Sequence, residues 1–449
     1  NLDLVPAREP GMTAYEMLLS ESQERMLIVA HKGQEQDIID VYEKWDLHAV
    51  VIGEVVEGDQ VTYWKDGEIK AQIPAEHLVL GGGAPQYVRE AKKPSYLEET
   101  QNADLSGLNH PENLIEGLEA LLGSPNIASK RWVHEQYDTM VRTNTVQGPG
   151  AADAGIIRLK GRKKGLVAKT DCNGRYVYLN PRRGGQIAVA ESARNVVCSG
   201  AKPMAITNCL NYGNPYKPEV YWTFKESLAG MGDACRKLNT PVTGGNVSFY
   251  NENPESAIFP TPIIGMLGVI EDVEKHKMSP SFKKEGDIIL YVGAPRIGLG
   301  GTEYLKVVHG LTTGDAPILD LDVELKVQET VLEAITSGLV TAAHDISDGG
   351  LAVSIAEMGI FGSLGAQIDL SVLFGSIHEI WFSEAQSGII LTCQPNQKES
   401  LVKHLSQGGV DVAQIGTVRG DALVFEGVGS VSLDQLHSIY ESAIPNAMS

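Results

Sequence analysis

The chain has 449 residues, too many for a single hydrophobic core, and this length predicts two or three domains. With 37 basic and 57 acidic side chains, the net charge of -20 argues against nucleic acid or an anionic membrane as the main partner. The five cysteines lack CxxC spacing and no apolar run reaches membrane length, which favours reduced thiols in the cytosol over a zinc or disulfide framework or a membrane span.

An internal repeat relates the start of the chain to its last third. LLSESQERMLIV at 18–29 and WFSEAQSGIILT at 381–392 share Ser-Glu-x-Gln followed by an apolar, strand-like run. An Ile-Gly pair, at Ile52 and Ile415, follows the shared glutamate at the same distance in each copy. In the second copy a HDISDGG stretch comes earlier, and its counterpart in the first copy would precede residue 1. We therefore expect the chain to begin inside a domain.

Between the copies, a polar stretch around Pro111 turns into an apolar helical pattern and predicts a linker into a new domain. From about 150 to 275, strand-like runs alternate with two helix patterns, GGQIAVAESARNVVCSGA and WTFKESLAGMGDACRKLN. The second helix pattern closes with a basic last turn and Asn239. Strand-like runs DIILYVG and AQIDL open the last domain. The pattern predicts mixed α and β structure throughout, an α/β (α+β) fold class.

One predicted helix carries a carboxylate on an otherwise apolar face. In QIAVAESARNVVCSG, Glu191 and Asn195 are four residues apart and share one face among Ala, Val and Ile. A carboxylate in that setting needs a cation or an ionic partner, and an oxygen pair at this spacing suits Mg²⁺. Two interpretations fit equally: Glu191 binds metal, or it pairs with a neighbour such as Arg194 or points at solvent.

Two amide-rich stretches, TNCLNYGNP at 207–215 and GGNVSFYN at 244–251, follow apolar runs and are predicted to be loops at strand ends. Gly245 would allow close backbone approach to a ligand, and Asn246 and Ser248 would present oxygens to metal or phosphate. Ordinary turns use the same residue types, so each stretch alone favours a structural role.

The stretch KTDCNGRYVYL places Asp171 at the end of a strand-like run, just before the turn pair Asn173 and Gly174. It fits a plain hairpin. It also fits a third metal carboxylate, which would act together with Glu191 and Asp345.

The stretch AAHDISDGGLAVSIAEM, residues 342–358, sets two aspartates and a serine before a Gly-Gly turn and an apolar helix pattern. These side chains could cap the helix. They could also form half of a nucleotide site, in which a divalent cation separates the carboxylates from phosphate. The chain has no G-x-x-x-x-G-K-[ST] phosphate loop, so a nucleotide would rely on carboxylates, metal, amides and helix starts.

Five motifs together resemble one family. HDISDGGLAVSIAEM, GGNVSFYNE, ITNCLNYGNP, IAVAESARNV and LLSESQERM are similar to motifs of the phosphoribosylformylglycinamidine synthase family, in its separate synthetase-subunit form, and span nearly the whole chain. This family belongs to the aminoimidazole ribonucleotide synthetase-like superfamily. The resemblance therefore implies tandem units, each a β-rich α/β domain followed by an α/β domain.

One partial and one complete unit are expected here. Residues 1–90 would be the C-terminal part of the first unit's second domain, and 91–112 a linker. Residues 113–278 would be the second unit's N-terminal domain and 279–449 its C-terminal domain. The resemblance places the catalytic histidine, the ATP lysine and most magnesium carboxylates in the first unit's N-terminal domain, which we expect to be missing, so no catalytic residue is assigned.

The resemblance implies an ATP-dependent ligase of purine biosynthesis in the cytoplasm. The amide oxygen of formylglycinamide ribonucleotide would be phosphorylated by ATP, and ammonia would then displace phosphate to give the amidine. Mg²⁺ and ATP or ADP are the implied cofactors. No cysteine sits in a Gly-x-Cys-x-Gly turn, so a glutaminase subunit would supply ammonia, together with a small bridging subunit.

The resemblance also assigns residues by motif. Asp348 would cap the helix, and Asn208 departs from the Asp found in many relatives. The implied substrate-binding residues are Glu21, Ser22, Gln23 and Ser248. The implied ATP-binding residues are Asn208, Gly245 and Ser347. The implied metal ligands are Asn246, Asp171, Glu191, Asn195 and Asp345, of which the last four, with Ser347, match the pattern that holds an auxiliary nucleotide in large single-chain relatives.

Two alternatives remain from other classes of function. The chain could be a nucleotide-binding scaffold that docks a glutaminase without turnover. It could instead be a small-molecule kinase or selenophosphate synthetase of the same fold, but such an enzyme would be a single unit, and the repeat argues against it.

Overall fold

The computed structural model describes residues 1–21, 25–79, 87–150, 152–295 and 297–449. Contacts divide the chain into two compact bodies, Asn1–Val88 and Arg89–Ser449, which we call the N-terminal body and the main body. The finer domain boundaries at 112 and 278 remain predictions.

The described residues of the N-terminal body form two helices and a hairpin. Its elements are α1 (Ala14–Leu19), α2 (Glu35–Glu43), β1 (Gln60–Lys65) and β2 (Glu68–Pro74), with short 3-10 turns at Leu2–Leu4 and Ala75–Leu78. α1 begins at a capping box in which Thr13 and Glu16 each accept a hydrogen bond from the other's backbone N–H. β1 and β2 pair antiparallel across Asp66 and Gly67, both at positive φ as a tight hairpin turn requires.

The repeat has a different structure in its two copies. In the second copy the apolar run forms the strand Gly388–Cys393, which pairs with a neighbour on each side. In the first copy, residues 26–29 are exposed and lie outside any strand of the described chain, so the prediction of a strand there is wrong. A strand needs neighbours to pair its backbone groups, and the described strands β1 and β2 pair with each other.

The main body mixes helices and strands along its whole length. Its helices are α3 (Tyr96–Gln101), α4 (Leu114–Leu122), α5 (Arg131–His134), α6 (Gly174–Leu179), α7 (Pro181–Cys198), α8 (Pro218–Leu238), α9 (Val273–His276), α10 (Glu303–His309), α11 (Leu321–Thr336), α12 (Gly350–Gly362), α13 (Ile377–Phe382), α14 (Lys398–Gln407) and α15 (Leu433–Met448). Further 3-10 turns lie at Val141–Thr143 and Pro395–Gln397.

The strands of the main body form two sheets. They are β3 (Thr145–Gln147), β4 (Gly155–Arg158), β5 (Gly165–Asp171), β6 (Lys202–Asn211), β7 (Val242–Ser248), β8 (Thr261–Ile270), β9 (Ile288–Gly293), β10 (Ala342–Asp345), β11 (Ala366–Ile368), β12 (Gly388–Cys393), β13 (Val412–Val418), β14 (Ala422–Phe425) and β15 (Gly429–Ser432).

The first sheet has six strands in the order β3-β4-β5-β8-β6-β7. Its described neighbours run antiparallel except β6 and β7, which are parallel. Helices α7 and α8 cover one face, where Ile264 and Met266 of β8 are buried at alternate positions. Both predicted helix patterns are confirmed as α7 and α8, and Asn239 ends α8 in the left-handed conformation.

The second sheet has seven strands in the order β10-β12-β9-β13-β11-β14-β15, with β11 and β14 parallel. Helices cover both of its faces. Ile289 and Tyr291 of β9 join a core with α4, α10, α12 and α15, whereas Leu290 and Val292 join a core with α11 and α14. This layering explains why the strands of this sheet read as continuous apolar runs.

Helix α7 connects the two sheets. Its residues Ala188 and Val189 belong to the core of the first sheet, and Val197 and Cys198 belong to a core of the second. A helix buried on most sides carries its polar groups into the interior, where they require partners.

The predicted mixed α and β fold is confirmed in both bodies. Among the described residues, no helix combines the length and the apolar character needed to cross a bilayer. All five cysteines are free thiols.

Candidate functional site

Four of the predicted metal ligands meet between the two sheets. Asp171 ends β5, Asp345 ends β10, and Glu191 and Asn195 lie one turn apart on α7. The Asn195 amide nitrogen is 3.4 Å from an Asp171 carboxylate oxygen and 3.3 Å from an Asp345 carboxylate oxygen, and it donates to the Glu191 carbonyl at 2.8 Å. Ser347 is half-buried, two residues beyond Asp345.

The chain turns into a helix directly after Asp171. Asn173 accepts a hydrogen bond from the Arg175 N–H through its side chain and so caps α6 at Gly174. The hairpin interpretation of this stretch is therefore wrong: the same Asn-Gly pair that favours a turn also supplies a helix cap. The carboxylate of Asp171 is left at the end of a strand, beside α7.

Arg194 is the nearest cation to Glu191, at 3.7 Å, and it also lies 3.6 Å from Asp345. Its shorter contacts go elsewhere: one guanidinium nitrogen lies 2.9 Å from both oxygens of Glu324, and another lies 2.7 Å from the Gln386 carbonyl oxygen. Since Glu324 already compensates Arg194, the alternative in which Arg194 serves as the ionic partner of Glu191 accounts for only part of that carboxylate's environment.

Burial raises the pKa of all three clustered carboxylates. Burial is the largest cause at Asp171, Glu191 and Asp345; the charge of Asp171 adds to it at Glu191, and the charge of Asp153 adds to it at Asp345, whose pKa rises to about 6. Burial alone would lower the pKa of Lys169, but the nearby carboxylates raise it. Burial and mutual repulsion together therefore outweigh the effect of Lys169 and Arg194, which lower these carboxyl pKa values.

The sequence reasoning missed Asp153 and His344. The His344 ring donates from Nδ1 to Asp153 at 2.7 Å and from Nε2 to Glu357 at 3.1 Å, and the Asp345 N–H lies 3.3 Å from the other Asp153 oxygen. Burial would lower the pKa of His344, yet the two carboxylates raise it well above its ordinary value. His344 is therefore a buried cation that fixes Asp153.

The sequence motifs point to only part of the group formed by Asp153, His344 and Asp345. His344 belongs to the HDISDGG stretch, whereas Asp153 follows a glycine-rich segment, lies 18 residues before Asp171, and belongs to none of the motifs singled out above. Asp153, His344 and Asp345 place one ligand atom each within 4.8 Å of one another. Because both His344 nitrogens already bind carboxylates, oxygen atoms rather than imidazole dominate the available donors.

The donor set fits a hard divalent cation. Three carboxylates and one amide with raised carboxyl pKa values are the oxygen ligands that Mg²⁺ prefers, and a cation would remove the mutual repulsion of Asp171, Glu191 and Asp345. Rotating the Asn195 amide would exchange its nitrogen for its oxygen at the position facing Asp171 and Asp345.

A cavity of about 720 Å³ is lined in part by Asp153, which lies beside the Asp345 N–H, and by Thr170, the residue before Asp171. Its lining combines two lysines, Lys130 and Lys169, with the glycine-rich stretch 148–150 and the aromatic side chains Phe361 and Tyr440. Cationic side chains and glycine backbone suit an anionic group, and aromatic rings suit a planar one. The cavity therefore offers both kinds of surface, and it meets the site at Asp153, since none of the four candidate metal ligands lines it.

Asp348 does not cap α12, so the capping interpretation is wrong. The helix begins after Gly349 (φ 84°) with no side-chain capping hydrogen bond. Asp348 instead accepts a hydrogen bond from the Asn173 side chain at 2.8 Å and lies 3.3 Å from the Tyr176 hydroxyl. The Gly349 N–H donates to Glu384 at 2.7 Å.

The other predicted nucleotide and metal residues lie on two strands rather than in loops, which corrects the prediction. Asn208 belongs to β6, and Gly245, Asn246 and Ser248 belong to β7, because parallel pairing of these strands satisfies their backbone groups. A Cβ on Gly245 would lie 2.1 Å from the Asn208 side-chain oxygen, so only glycine permits this approach.

The two groups of predicted residues occupy the same row of the first sheet. Ile264 of β8 pairs with Asp171 on one side and with Asn208 on the other, and Asn208 pairs with Gly245. Asn208 is thus two strands, roughly 10 Å, from Asp171. Asn246 is exposed. The sheet keeps this second group apart from the buried carboxylates.

The predicted substrate residues of the repeat are described only in part. Glu21 is exposed in the N-terminal body, and Ser22 and Gln23 lie outside the described residues. Their counterparts in the second copy are fully enclosed: Glu384 binds backbone N–H groups, and Gln386 binds Arg194.

Family models match both ends of the chain and its centre. The AIR synthase related protein, N-terminal domain, matches residues 151–270, and the AIR synthase related protein, C-terminal domain, matches residues 1–65 and 284–427. The two C-terminal matches contain the two copies of the repeat, and together the matches cover more than half of the chain.

Curated relatives carry one name. The chain is 49% identical to the "Phosphoribosylformylglycinamidine synthase subunit PurL" of Chlorobaculum tepidum over 100% of its own length and 60% of that relative. It is 51% identical to the subunit of the same name from Salinibacter ruber, again over 100% of its length and 61% of the relative. The chain thus spans about three fifths of the length of these proteins.

A solved structure shows the same fold at low identity. The Thermotoga maritima structure described as "T. maritima PurL complexed with FGAR" superposes with a TM-score of 0.60 at 18% identity, over 73% of this chain and 54% of that one. With the sheets, the repeat and the family models in agreement, the chain belongs to the AIR synthase related protein family, as tandem units of that fold.

Proposed function

We propose that the chain is part of the synthetase subunit of a phosphoribosylformylglycinamidine synthase. The whole protein would use ATP to convert formylglycinamide ribonucleotide to the amidine, with ammonia derived from glutamine. The observation that carries this proposal is the identity of 49 to 51% over the full chain to curated subunits of that name. An enzyme of this reaction is a carbon–nitrogen ligase.

The proposed role of the main body is to hold a nucleotide with Mg²⁺. Asp171, Glu191, Asn195 and Asp345 would bind the metal, which when bound neutralises phosphate charge next to carboxylates. Ser347 would contact the nucleotide. Structures of the Thermotoga maritima relative are described as complexes with ADP and ATP, which supports a nucleotide as the ligand of this family.

The cavity supports the same proposal. Lys130 and Lys169 would attract the phosphates, and the glycine-rich stretch 148–150 would let backbone approach them closely. Phe361 and Tyr440 would face the planar base. The imidazolium of His344 holds Asp153 at the edge of this cavity and keeps its charge compensated.

The remaining site residues are proposed for the substrate side. Glu21, Ser22, Gln23 and Ser248 would contact formylglycinamide ribonucleotide. Asn208, Gly245 and Asn246 would contact ATP and its metal on the exposed edge of the first sheet.

The proposed partners are a glutaminase subunit and a small bridging subunit, in the cytoplasm. One Thermotoga maritima structure is described as "Structure of PurLQS", which supports an assembly of several subunits in the family. The reduced state of all five cysteines agrees with a cytoplasmic location.

A nucleotide-binding scaffold without turnover is the second candidate. It is favoured by one observation: the clustered carboxylates and the lining residues of the cavity all lie within the main body. Ammonia-dependent release of phosphate from ATP, dependent on formylglycinamide ribonucleotide, would distinguish the ligase from the scaffold.

The first experiment is mass spectrometry of nucleotide extracted from the purified chain, with metal analysis. We expect about one ADP per chain with Mg²⁺, and loss of both in Asp345→Asn. Asp411→Asn, which changes an exposed aspartate of the same body, is the matched control. A wild-type chain that carries no nucleotide and binds neither ATP nor ADP with Mg²⁺ would refute the metal and nucleotide site.

A further inference from the structure

A series of buried hydrogen bonds joins α6 to the segments that precede α12 and β12, beside the candidate metal site. From the side of α6, the Asn173 amide and the Tyr176 hydroxyl both reach Asp348, at 2.8 Å and 3.3 Å. The same Tyr176 hydroxyl donates to a Glu384 oxygen. Tyr176 and Glu384 are both fully enclosed, at 1% and 0% exposure. None of the residues in this series of hydrogen bonds is a proposed metal ligand.

Glu384 fixes two backbone segments at once. Its Oε1 accepts the Gly349 N–H at 2.7 Å and the Glu303 N–H at 2.8 Å. It thereby ties the loop before α12 to the start of α10. Each of these N–H groups would be an unpaired buried donor without it.

A buried ion pair between Arg175 and Glu303 stabilises the same region. Arg175, next to Tyr176, pairs with Glu303, and Glu303 also accepts hydrogen bonds from Ser124 at 3.1 Å and Asn126 at 3.0 Å. The Arg175 guanidinium also donates to the Gly301 carbonyl at 3.4 Å. These contacts fix the α6 backbone against the start of α10, so the Tyr176 hydroxyl has a defined position.

The loop that needs this support follows Asp345, the last residue of β10, and carries Ser347. It then passes through Gly349 to Gly350, the first residue of α12, both at positive φ. Glycines at such positions leave the loop intrinsically permissive, and α12 has no side-chain cap to fix its start. Strand pairing holds Asp345 itself, and the contacts to Asp348 and Gly349 hold the loop that follows it and carries Ser347.

We propose that Tyr176 and Glu384 are positioning residues that hold residues 346–349, which follow Asp345 and carry Ser347, beside the segment after Asp171, and so set the affinity of the main body for a divalent metal and nucleotide. The proposal rests on the metal and nucleotide site proposed above. Neither residue would touch the ligand. Groups of this kind, which orient metal ligands through hydrogen bonds, typically change metal affinity by about 10- to 100-fold when removed.

The test measures binding of ADP in saturating Mg²⁺ to the whole chain by calorimetry, after removal of co-purified nucleotide. Tyr176→Phe removes a single hydroxyl, and Glu384→Gln keeps the shape of the side chain but places an amide NH₂, which can only donate, where an oxygen now accepts from the Tyr176 hydroxyl. We expect the dissociation constant to rise about tenfold or more in each. The matched control is Tyr212→Phe, which deletes another enclosed hydroxyl, one that binds Ser227 at 2.6 Å.

Unfolding midpoints without ligand separate positioning from general destabilisation. Tyr176→Phe and Tyr212→Phe should lose similar stability, while Tyr212→Phe should bind Mg²⁺ and ADP within about twofold of wild type. Wild-type affinity in both Tyr176→Phe and Glu384→Gln would overturn the inference and leave the proposed site intact. Absence of binding in the wild type would refute the proposed site and this inference with it.

Discussion

Glu384 has different surroundings from Glu21, its counterpart in the repeat. Glu21 is exposed in the N-terminal body, whereas Glu384 is enclosed among Tyr176 and two backbone N–H groups. Burial, with the charge of Asp348, raises the pKa of Glu384 to about 8.

The raised pKa of Glu384 predicts that stability falls as pH rises. The folded chain retains a proton on Glu384 up to about pH 8, whereas the unfolded chain releases it near its ordinary value, so the stability present at low pH is lost as pH rises through about 8. Between pH 6 and pH 8, urea unfolding of wild type should show a loss about 2 kcal/mol larger than that of Glu384→Gln. Glu399→Gln, an exposed change on α14, should follow wild type, and identical slopes in all three proteins would contradict the prediction.

Residue chemistry also explains which ligands the sequence could identify. Glu191 and Asn195 stand out because polar groups in an apolar helix require partners, and that inference needs only local spacing. Asp153 does not stand out, since its partner His344 comes from a strand of the other sheet. Only folding brings these two side chains together.

At the scale of elements, α7 and α8 pack at unusually short range through glycines. A Cβ on Gly185 of α7 would lie 2.3 Å from the Ser227 carbonyl oxygen, and a Cβ on Gly230 of α8 would lie 1.9 Å from the Arg182 carbonyl oxygen. Backbone therefore contacts backbone at this crossing. Because α7 carries Glu191, this crossing also affects how far the candidate ligand Glu191 lies from the first sheet.

Gly230→Ala should destabilise the main body. The added methyl group would meet the Arg182 carbonyl, and overpacking of this kind costs about 1–3 kcal/mol. The control is Gly232→Ala in the same helix, where the nearest atom is the flexible Arg236 side chain at 3.2 Å; helix propensity should make that change neutral or stabilising by up to about 1 kcal/mol. Chemical unfolding of both variants checks this, and equal destabilisation would show that the helices are not in close contact.

At the scale of the whole molecule, the chain consists of two bodies, and the carboxylate cluster belongs to one. Asp171, Glu191, Asn195 and Asp345 all lie in the main body, as do the lining residues of the cavity. Ligand binding stabilises the part of a protein whose folded state forms the site. The two bodies should therefore respond differently to Mg²⁺ and nucleotide.

Hydrogen exchange followed by mass spectrometry should resolve this difference. At a hundredfold excess of ligand over its dissociation constant, Mg²⁺ with ADP should stabilise the main body by about 2.7 kcal/mol, with the greatest added protection in β5, α7 and β10. Peptides from the N-terminal body should exchange at unchanged rates. Asp345→Asn should abolish the effect, and uniform protection of both bodies would contradict a site confined to the main body.

The sequence by itself determined the mixed α and β class, the two long helices α7 and α8, the repeat, and a set of polar residues with ligand chemistry. These follow from local periodicity, caps and motif spacing, which short-range physics sets. Tertiary structure alone decided that the amide-rich stretches are strands and that Asp153, His344 and Glu384 are buried beside the site. Each of these depends on hydrogen bonds between residues distant in sequence, because a strand, a buried charge or a loop is stabilised by the neighbours that folding supplies. The Asn173 cap is a local contact between residues two apart, but the same Asn-Gly pair also fits a hairpin turn, so the sequence left both open.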